Sequence, residues 1–324
     1  MDYFAFGVPI TSQIPLSLPA MDASRMEGFG PVFPGRDREK AGKFPPIAIT
    51  LGEVEPPESI QGPQYSVGNI TYAMEGERIL VSLPRAGRLE ILGNAEIRAQ
   101  RAVVGMEGGL EGAQAEAPEG LLAASITCFA FLFILKKRGF ITLHGSAVSD
   151  GTSAFLILGE KGGGKSTSAA ALSQEGFASY ADDLALVSPH GEVYPGNPIA
   201  RLLPDAQKVL YGEPGLYGSP GDDFDGVAKR EFQLAAELEP RKLGAIFILR
   251  PVDSGRLKVT EARGAAKAAA VFPHFSALPG LDTPAALITL AEACIKNISV
   301  YILERPAAGD SLKEVVAAIR KAAR

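Results

Sequence analysis

A glycine-rich run near the middle of the 324-residue chain limits the folds open to it. Residues 159–166 fit the pattern G-x-x-x-x-G-K-[ST], in which backbone N–H groups close around a phosphate chain at the start of a helix. The all-apolar run 154–158 before it predicts a parallel strand buried on both faces, and residues 165–175 after it predict a helix that ends at a glycine cap, Gly176. Strand, loop and helix in this order predict a nucleotide-binding α/β domain.

The residues of this motif are expected to make different contacts with a nucleotide and its metal. Lys165 would reach the β- and γ-phosphates, and the Ser166 hydroxyl would be a Mg²⁺ ligand. The sequence therefore predicts a site for a nucleotide together with magnesium. The predicted nucleotide-binding residues are Gly159, Glu160, Lys161, Gly162, Gly163, Gly164, Lys165, Ser166 and Thr167.

Two adjacent carboxylates, Asp182 and Asp183, follow the predicted helix. Residues 178–181 before them predict a short strand, and ligands of open parallel sheets gather at the carboxyl ends of strands. Because neighbouring strand residues face opposite sides, the two acids are not expected to share one task. One could hold Mg²⁺ while the other accepts the proton of an attacking hydroxyl. Adjacent acids are more often a solvated turn, but this position after the helix favours the functional interpretation.

One histidine lies upstream in a second predicted buried strand, residues 140–148. Taken alone, His144 would more often be a satisfied core residue than a catalytic one. Its distance along the chain from the glycine-rich loop, and the distance from that loop to Asp183, favour a place for it in the site.

These segments resemble the HPr serine kinase/phosphorylase family and, more closely, the bacterial HPr-kinase-related proteins of lasso-peptide clusters. The resemblance implies an α/β fold: a P-loop kinase core of the HPr-kinase and PEP-carboxykinase-like type with a smaller β-rich N-terminal domain. The segments that carry it are residues 143–145, 159–166 and 181–183, with further family-like pieces at 6–19, 194–205 and 228–230.

The resemblance implies an ATP- and Mg²⁺-dependent kinase that phosphorylates a serine hydroxyl on a peptide or protein, such as the C-terminal serine of a lasso precursor peptide. Asp183 would be the general base. Asp182 and Ser166 would hold the metal, and His144 would position the base or the phosphate. The choice of ATP over GTP is implied by the resemblance alone, because the loop contacts phosphates and hardly senses the base.

A cationic pair, Lys229 and Arg230, would by the same resemblance stabilise charge on the transferred phosphoryl group. A solvated charged pair is an equally good interpretation of these two residues. The Glu-Ile-Arg-Gly segment of true HPr kinases has no match, and residues 201–205 occupy about its place. This departure leaves an acidic metal contact from that segment, and any phosphorylase activity, without support.

Two other classes of function stay open. A kinase for a small hydroxyl compound such as free serine would need a closed, charged pocket, whereas a peptide kinase needs an open groove. A nucleotide-gated binding or scaffold protein would bind the nucleotide and transfer nothing. The sequence does not name the acceptor or the oligomeric state.

Composition fits an intracellular enzyme. A net charge of −5 gives no electrostatic reason to expect nucleic acid as a partner. Two cysteines, Cys128 and Cys294, argue against a disulfide framework or a zinc site. The first residues lack the basic and apolar regions of a signal peptide, and the apolar run 121–135 is shorter than the roughly 20 residues of a membrane-spanning helix. A cytoplasmic protein without a membrane span is therefore expected.

The chain is expected to contain two domains. Residues 1–107 hold strand-like pieces at 47–51, 69–73 and 78–83 and predict a β-rich domain, whose role is substrate docking or simple scaffolding. Residues 108–120 predict a linker, and residues 121–324 the catalytic domain.

Further strands of the second domain are predicted at 184–187, 244–249 and 298–303. Ser311 and Glu314 form a capping-box pattern that predicts a final helix through residue 323.

Overall fold

The structure is a computed structural model. The predicted linker 108–120 and residues 121–134 of the apolar run lie outside the residues that it describes. It describes the backbone of eight strands between residues 2 and 100 and of residues 219–220, and backbone with side chains for residues 135–136, 139–196, 198–212, 229–237, 239–253, 255–276, 285, 288–289, 292, 295–306 and 311–323.

The chain has a mixed α/β fold and divides into two compact units, Met1–Gly139 with Leu278–Leu281 and Phe140–Ala277 with Asp282–Arg324. The first unit contains an eight-stranded sheet in the order β1-β2-β3-β8-β7-β6-β5-β4. Three of these strands, β3, β5 and β6, confirm the strands predicted at 47–51, 69–73 and 78–83. The eight are β1 (Asp2–Ala5), β2 (Val8–Ser12), β3 (Ile47–Leu51), β4 (Gln64–Val67), β5 (Ile70–Glu75), β6 (Arg78–Leu83), β7 (Gly87–Leu92) and β8 (Ile97–Gln100).

The described strands of the second unit are β9 (Ile141–Ser149), β10 (Ala154–Gly159), β11 (Ala178–Ala181), β12 (Leu184–Val187), β13 (Glu192–Tyr194), β14 (Ile199–Leu202), β15 (Ser219–Pro220), β16 (Arg230–Gln233), β17 (Arg241–Val252), β18 (Lys258–Ala262) and β19 (Ser299–Pro306). Its described helices are α1 (Lys165–Gln174), α2 (Pro204–Tyr211), α3 (Ala265–Val271) and α4 (Leu312–Ala322), and a 3₁₀ turn, Phe272–His274, follows α3.

The large sheet of the second unit has the order β10-β9-β12-β13-β17-β19-β18, and β11 also pairs with β9. Strand β10 pairs with β17 as well, so β9, β10, β12, β13 and β17 form a closed circuit of pairings. Strands β14, β16 and β15 form a separate three-stranded sheet.

Strand β10 is buried over its whole length, as its all-apolar sequence predicts. Phe155 and Ile157 belong to the core cluster that packs α1 and α4, whereas Leu156 and Leu158 belong to a second cluster. Because successive strand residues face opposite sides, each face of β10 is covered by its own cluster. The expectation of a strand buried on both faces is confirmed.

The sheet around β10 is mixed rather than purely parallel. β10 runs parallel to β17 but antiparallel to β9. The physical reason is the short connection: residues 150–153 join β9 directly to β10, and a connection of this length can form only a hairpin. β9 and β10 are therefore neighbours in sequence and in the sheet.

Helix α1 ends as the sequence predicts, and α4 begins differently. Gly176, with φ of +93°, follows α1 and donates its N–H to the Ser173 carbonyl at 3.2 Å. Ser311 is the N-cap of α4, but its side chain makes no capping bond and its buried hydroxyl has no hydrogen-bond partner among the described residues. The predicted capping box is therefore wrong in its side-chain contact, although the helix is present.

Candidate functional site

The loop of residues 159–166 connects the end of β10 to the start of α1. Gly162 and Gly164 have φ of +79° and +93°, the left-handed conformation that glycine adopts at little cost. The Gly163 N–H donates to the Glu160 carbonyl at 3.0 Å, which closes a tight turn. We refer to residues 159–166 as the glycine-rich loop. Its glycines are needed where the chain turns into the helix.

Lys165 folds back on this loop. Its Nζ donates to the carbonyl oxygens of Gly159 and Glu160, both at 3.0 Å, and the residue is only 8% exposed. Burial lowers the pKa of the Lys165 ammonium, and the nearby charges of Asp183 and Asp182 act in the opposite direction. The ammonium thus lies between the loop backbone and two carboxylates.

The remaining residues predicted for nucleotide binding surround this lysine. Glu160 and Lys161 are exposed at the turn of the loop, and Thr167 lies in the first turn of α1. Ser166 follows Lys165, and its side chain hydrogen-bonds Asp182. The structure therefore brings the loop and the aspartate pair together.

The two aspartates lie between the end of β11 and the start of β12. β11 and β12 both pair antiparallel with β9, with Ala181 opposite Ala147 and Leu184 opposite His144. Between them the same register places Asp182 opposite Ser146. The predicted strand at 178–181 is confirmed, and the two acids directly follow its end. Its pairing differs from a parallel sheet, because β11 runs antiparallel to β9.

The gap between β11 and β12 separates the two acidic side chains. Asp183 has φ of +79°, the left-handed region that non-glycine residues adopt at a cost of about 1–2 kcal/mol. Its carbonyl nevertheless accepts the Gly145 N–H at 3.2 Å, which keeps it tied to β9. A strained backbone held in place by pairing on both sides is common at functional sites.

Asp182 is the less exposed of the two acids and accepts several hydrogen bonds. The Ser146 hydroxyl donates to Oδ1 at 2.5 Å, and the Arg201 backbone N–H donates to Oδ2 at 3.3 Å. Burial raises the pKa of the Asp182 carboxyl, while the hydrogen bonds from Ser146 and Ser166 act to lower it. Asp182 therefore joins β9, the glycine-rich loop and β14.

Asp183 is exposed and faces His144. The His144 Nδ1 lies 3.3 Å from the Asp183 Oδ1, and the two side chains are 47% and 64% exposed. This contact leaves about half of the His144 side chain and most of the Asp183 side chain open to solvent. An imidazole beside a carboxylate can orient it and share a proton with it.

The predicted cations lie at different positions. Lys229 is close enough to Lys165 for its charge to lower the pKa of the Lys165 ammonium. Arg230 begins β16, where it pairs with Leu202 of β14. The structure thus brings Lys229 into the electrostatic surroundings of the glycine-rich loop and sets Arg230 in the small sheet.

A second histidine was missed by the sequence reasoning. The bridge between Leu143 and Phe275 extends β9 by one antiparallel pair, and Ser276 N–H donates to the Thr142 carbonyl at 2.9 Å. This register places His274 opposite His144. Burial lowers the pKa of the His274 imidazole, and the charges of Lys165 and His144 lower it further. No local sequence signal could have found this residue.

Two other residues of the site carry weak signals or none. Arg305 stands at the end of β19 and donates from Nη1 to the Gly163 carbonyl at 3.3 Å. Its sequence signal is only a polar residue at the end of an apolar strand. Ser146 is an ordinary small residue in the predicted strand, and its role becomes visible only through its register with Asp182.

A magnesium ion fits the donors that are present. Asp182 and Ser166 offer a carboxylate and a hydroxyl next to the loop, and Mg²⁺ usually takes one or two carboxylates with phosphate oxygens and waters. A dedicated cage is not found: among the described residues, no three His, Cys, Asp or Glu side chains are grouped to hold a metal.

Within the described part of the chain, no helix has the length and apolar character needed to cross a membrane. No family model and no curated protein matches the sequence. Among solved structures, the chain is similar to the Hpr(Ser) kinase/phosphatase from Coxiella burnetii, with 12% identity, coverage of 56% of this chain and 94% of that chain, and a TM-score of 0.27. This similarity is weak, and it gives no support to the lasso-peptide subgroup.

Proposed function

We propose that this chain is a kinase that transfers the γ-phosphoryl group of ATP to a serine hydroxyl of a peptide or protein, with Mg²⁺ as the metal. The observation that carries the proposal is that the two aspartates beside the glycine-rich loop make different contacts. Asp182 hydrogen-bonds Ser166, and Asp183 lies exposed beside His144. Phosphoryl transfer needs these two parts, a metal-binding carboxylate and a base that receives the acceptor's proton.

The nucleotide would bind to the glycine-rich loop. The α1 N-terminus and the loop N–H groups suit the phosphates, and the Lys165 ammonium would exchange its carbonyl partners for β- and γ-phosphate oxygens. Lys229 would add positive charge on the same side. When bound between Asp182, Ser166 and the phosphates, Mg²⁺ would supply charge neutralisation.

Transfer itself would use the exposed pair. Asp183 would accept the proton of the serine Oγ as that oxygen bonds to the γ-phosphorus and the bond to the ADP oxygen breaks. His144, 3.3 Å away, would orient the Asp183 carboxylate toward the acceptor. ADP and a phosphoserine would be the products.

The exposure of this pair supports a large acceptor. At 64% exposed, Asp183 is not enclosed in a pocket by the residues that the structure describes, whereas a free-serine kinase would need a closed pocket. A peptide or protein serine could approach from solvent. The C-terminal serine of a lasso precursor peptide is the specific acceptor that we propose, and it rests on the sequence resemblance alone.

The test is mass spectrometry of candidate acceptors after incubation with Mg-ATP. The acceptors are a precursor peptide ending in serine, HPr protein and free serine, each with the wild-type chain and the Asp183→Asn variant. Asp150→Asn is the matched control, since Asp150 is an exposed aspartate that directly follows the last residue of β9. We expect phosphate on the peptide serine with the wild type and with Asp150→Asn, and at least about 100-fold slower transfer with Asp183→Asn.

Each other outcome identifies a different function. Phosphate on HPr alone would contradict the peptide acceptor, and phosphate on free serine alone would indicate a small-molecule kinase. Nucleotide binding without transfer to any acceptor would indicate a nucleotide-gated protein. Wild-type transfer by Asp183→Asn would refute the role of Asp183 as the base.

A further inference from the structure

Three parallel strands, β10, β17 and β19, lie side by side next to the glycine-rich loop. β10 ends at Gly159, and β17 and β19 continue three residues beyond that level. Gly159 of β10 pairs with Leu249 of β17, and Leu249 pairs with Leu303 of β19. Leu303 belongs to the core cluster that packs α1. Residues two apart on a strand share a face, so Arg305 projects on the α1 side of the sheet, just beyond that core.

Arg305 contacts the loop where it turns into the helix. Its Nη1 donates to the Gly163 carbonyl at 3.3 Å, across 142 residues of sequence. A Cβ added at Gly164 would lie 2.5 Å from the same Nη1. The Nε of Arg305 is buried and has no hydrogen-bond partner among the described residues. The guanidinium is therefore packed directly against the Gly163–Gly164 peptide.

This contact controls the direction of one amide. The Gly163 carbonyl and the Gly164 N–H belong to one planar trans peptide and point in opposite directions. A guanidinium that holds the carbonyl therefore turns the Gly164 N–H away from Arg305. Loops with this sequence pattern bind phosphate through such N–H groups, so the orientation of this peptide decides whether the donor is available.

We infer that Arg305 is a positioning residue for the phosphates of the bound nucleotide: it fixes the Gly163–Gly164 peptide and adds a permanent positive charge to the glycine-rich loop. The inference rests on the proposed function, because it requires that the loop binds a nucleotide. With Lys165 and Lys229 it gives the loop three neighbouring cations. Arginine suits this place because its planar guanidinium can donate to a carbonyl and keep further donors and its charge.

The alternative is that Arg305 only stabilises the end of β19. That role predicts a loss of folding stability without nucleotide, and no specific loss of phosphate binding. A residue that orients a phosphate donor predicts a specific loss of phosphate binding, with only the small loss of stability that one broken hydrogen bond causes. The two roles are therefore separated by comparing nucleotide affinity with thermal stability in the same variants.

The experiment uses the full chain and the variants Arg305→Gln and Arg305→Lys. The control is Arg250→Gln, since Arg250 is an exposed arginine near the end of the neighbouring strand β17. Binding of a fluorescent ATP analogue with Mg²⁺ is measured by titration, and inorganic tripolyphosphate is then used as a competitor. Thermal midpoints are recorded without nucleotide.

We expect the Arg305→Gln variant to bind the analogue and tripolyphosphate about tenfold more weakly, with a thermal midpoint lowered by only a few degrees because one hydrogen bond is lost. Arg305→Lys should recover part of that loss, and Arg250→Gln should bind like the wild type. Unchanged affinity in Arg305→Gln, or weaker binding that Arg305→Lys does not partly restore, would overturn the inference and leave the proposed function standing. Failure of the wild type to bind the analogue would instead overturn the proposed function, and this inference with it.

Discussion

Gly164 and Gly176 flank the same helix and offer a matched pair of substitutions. Both have φ of +93°, in the left-handed region that costs an L-residue about 1–2 kcal/mol. They differ in their surroundings. A Cβ at Gly164 would lie 2.5 Å from the Arg305 Nη1, whereas a Cβ at Gly176 would have no atom within 4 Å. Comparing Gly164→Ala with Gly176→Ala therefore isolates the contact with Arg305.

The expected difference follows from the hydrogen bond that must break. At Gly176 only the backbone term applies, so alanine should lower the free energy of unfolding by about 1–2 kcal/mol. At Gly164 the guanidinium must also move and lose its bond to the Gly163 carbonyl. A bond from a charged donor contributes about 1.5–3 kcal/mol, which we reduce to about 1 kcal/mol because the Arg305 side chain is only half buried. Gly164→Ala should therefore cost about 2–3 kcal/mol.

The assay is urea unfolding, monitored by hydrogen exchange of peptides from β9 and α1. These peptides report on the second unit separately from the first. The double variant Gly164→Ala with Arg305→Ala tests the cause, because the excess cost at Gly164 should disappear once the guanidinium is gone. Equal losses for the two glycine variants, or an excess that persists without Arg305, would refute the reasoning.

Three further outcomes are expected in the same urea assay. Ser146→Ala should lower the free energy of unfolding by about 1.5–3 kcal/mol, because it removes a hydrogen-bond donor to the Asp182 carboxylate. Ser168→Ala should leave that free energy nearly unchanged, because its buried hydroxyl has no partner among the described residues. Equal losses for the two variants would contradict this. Ser311→Ala should lower the free energy of unfolding by less than the roughly 1 kcal/mol that removal of an ordinary N-cap hydroxyl costs. A larger loss would show that the Ser311 hydroxyl does cap α4. Burial holds the pKa of the His274 imidazole below its ordinary 6.5. As the pH falls, the unfolded chain therefore takes up a proton at this residue before the folded chain does, and the free energy of unfolding should decrease below about pH 6.5. His274→Gln should weaken that dependence, and an unchanged pH profile would count against it.

Local signals predicted the local structure of the site. The apolar run before Gly159, the glycines, and the alanines after Lys165 each act within a few residues, so β10, the loop and α1 appear where the sequence places them. Ser311 shows the limit of such signals. Its capping pattern is present, but packing buries the hydroxyl away from the N–H groups that it would cap.

Long-range pairing determined what the sequence could not predict. Pairing of β11 and β12 with β9 holds Asp182 and Asp183 in the short gap between the two strands, and the identity of neither residue predicts the φ of +79° at Asp183. His274 and Arg305 reach the site through contacts with segments far away in sequence. Their partners are fixed by the sheet, and a pattern of neighbouring residues carries no information about that register.

The pairing of β9 with β11 and β12 on either side of the two aspartates also separates the chemistry of the candidate site from its scaffold. The backbone pairs Ala147–Ala181 and His144–Leu184 flank positions 146 and 182 and hold them opposite each other whatever residues occupy them. Histidine or cysteine at both positions would set two soft donors side by side and favour zinc over magnesium, without any change of fold. One residue inserted after Asp182 would instead turn every side chain of β12 to the other face of the sheet. Under the proposed function, the metal preference of this site can therefore change by substitution, whereas a change in length would shift the register that forms the site.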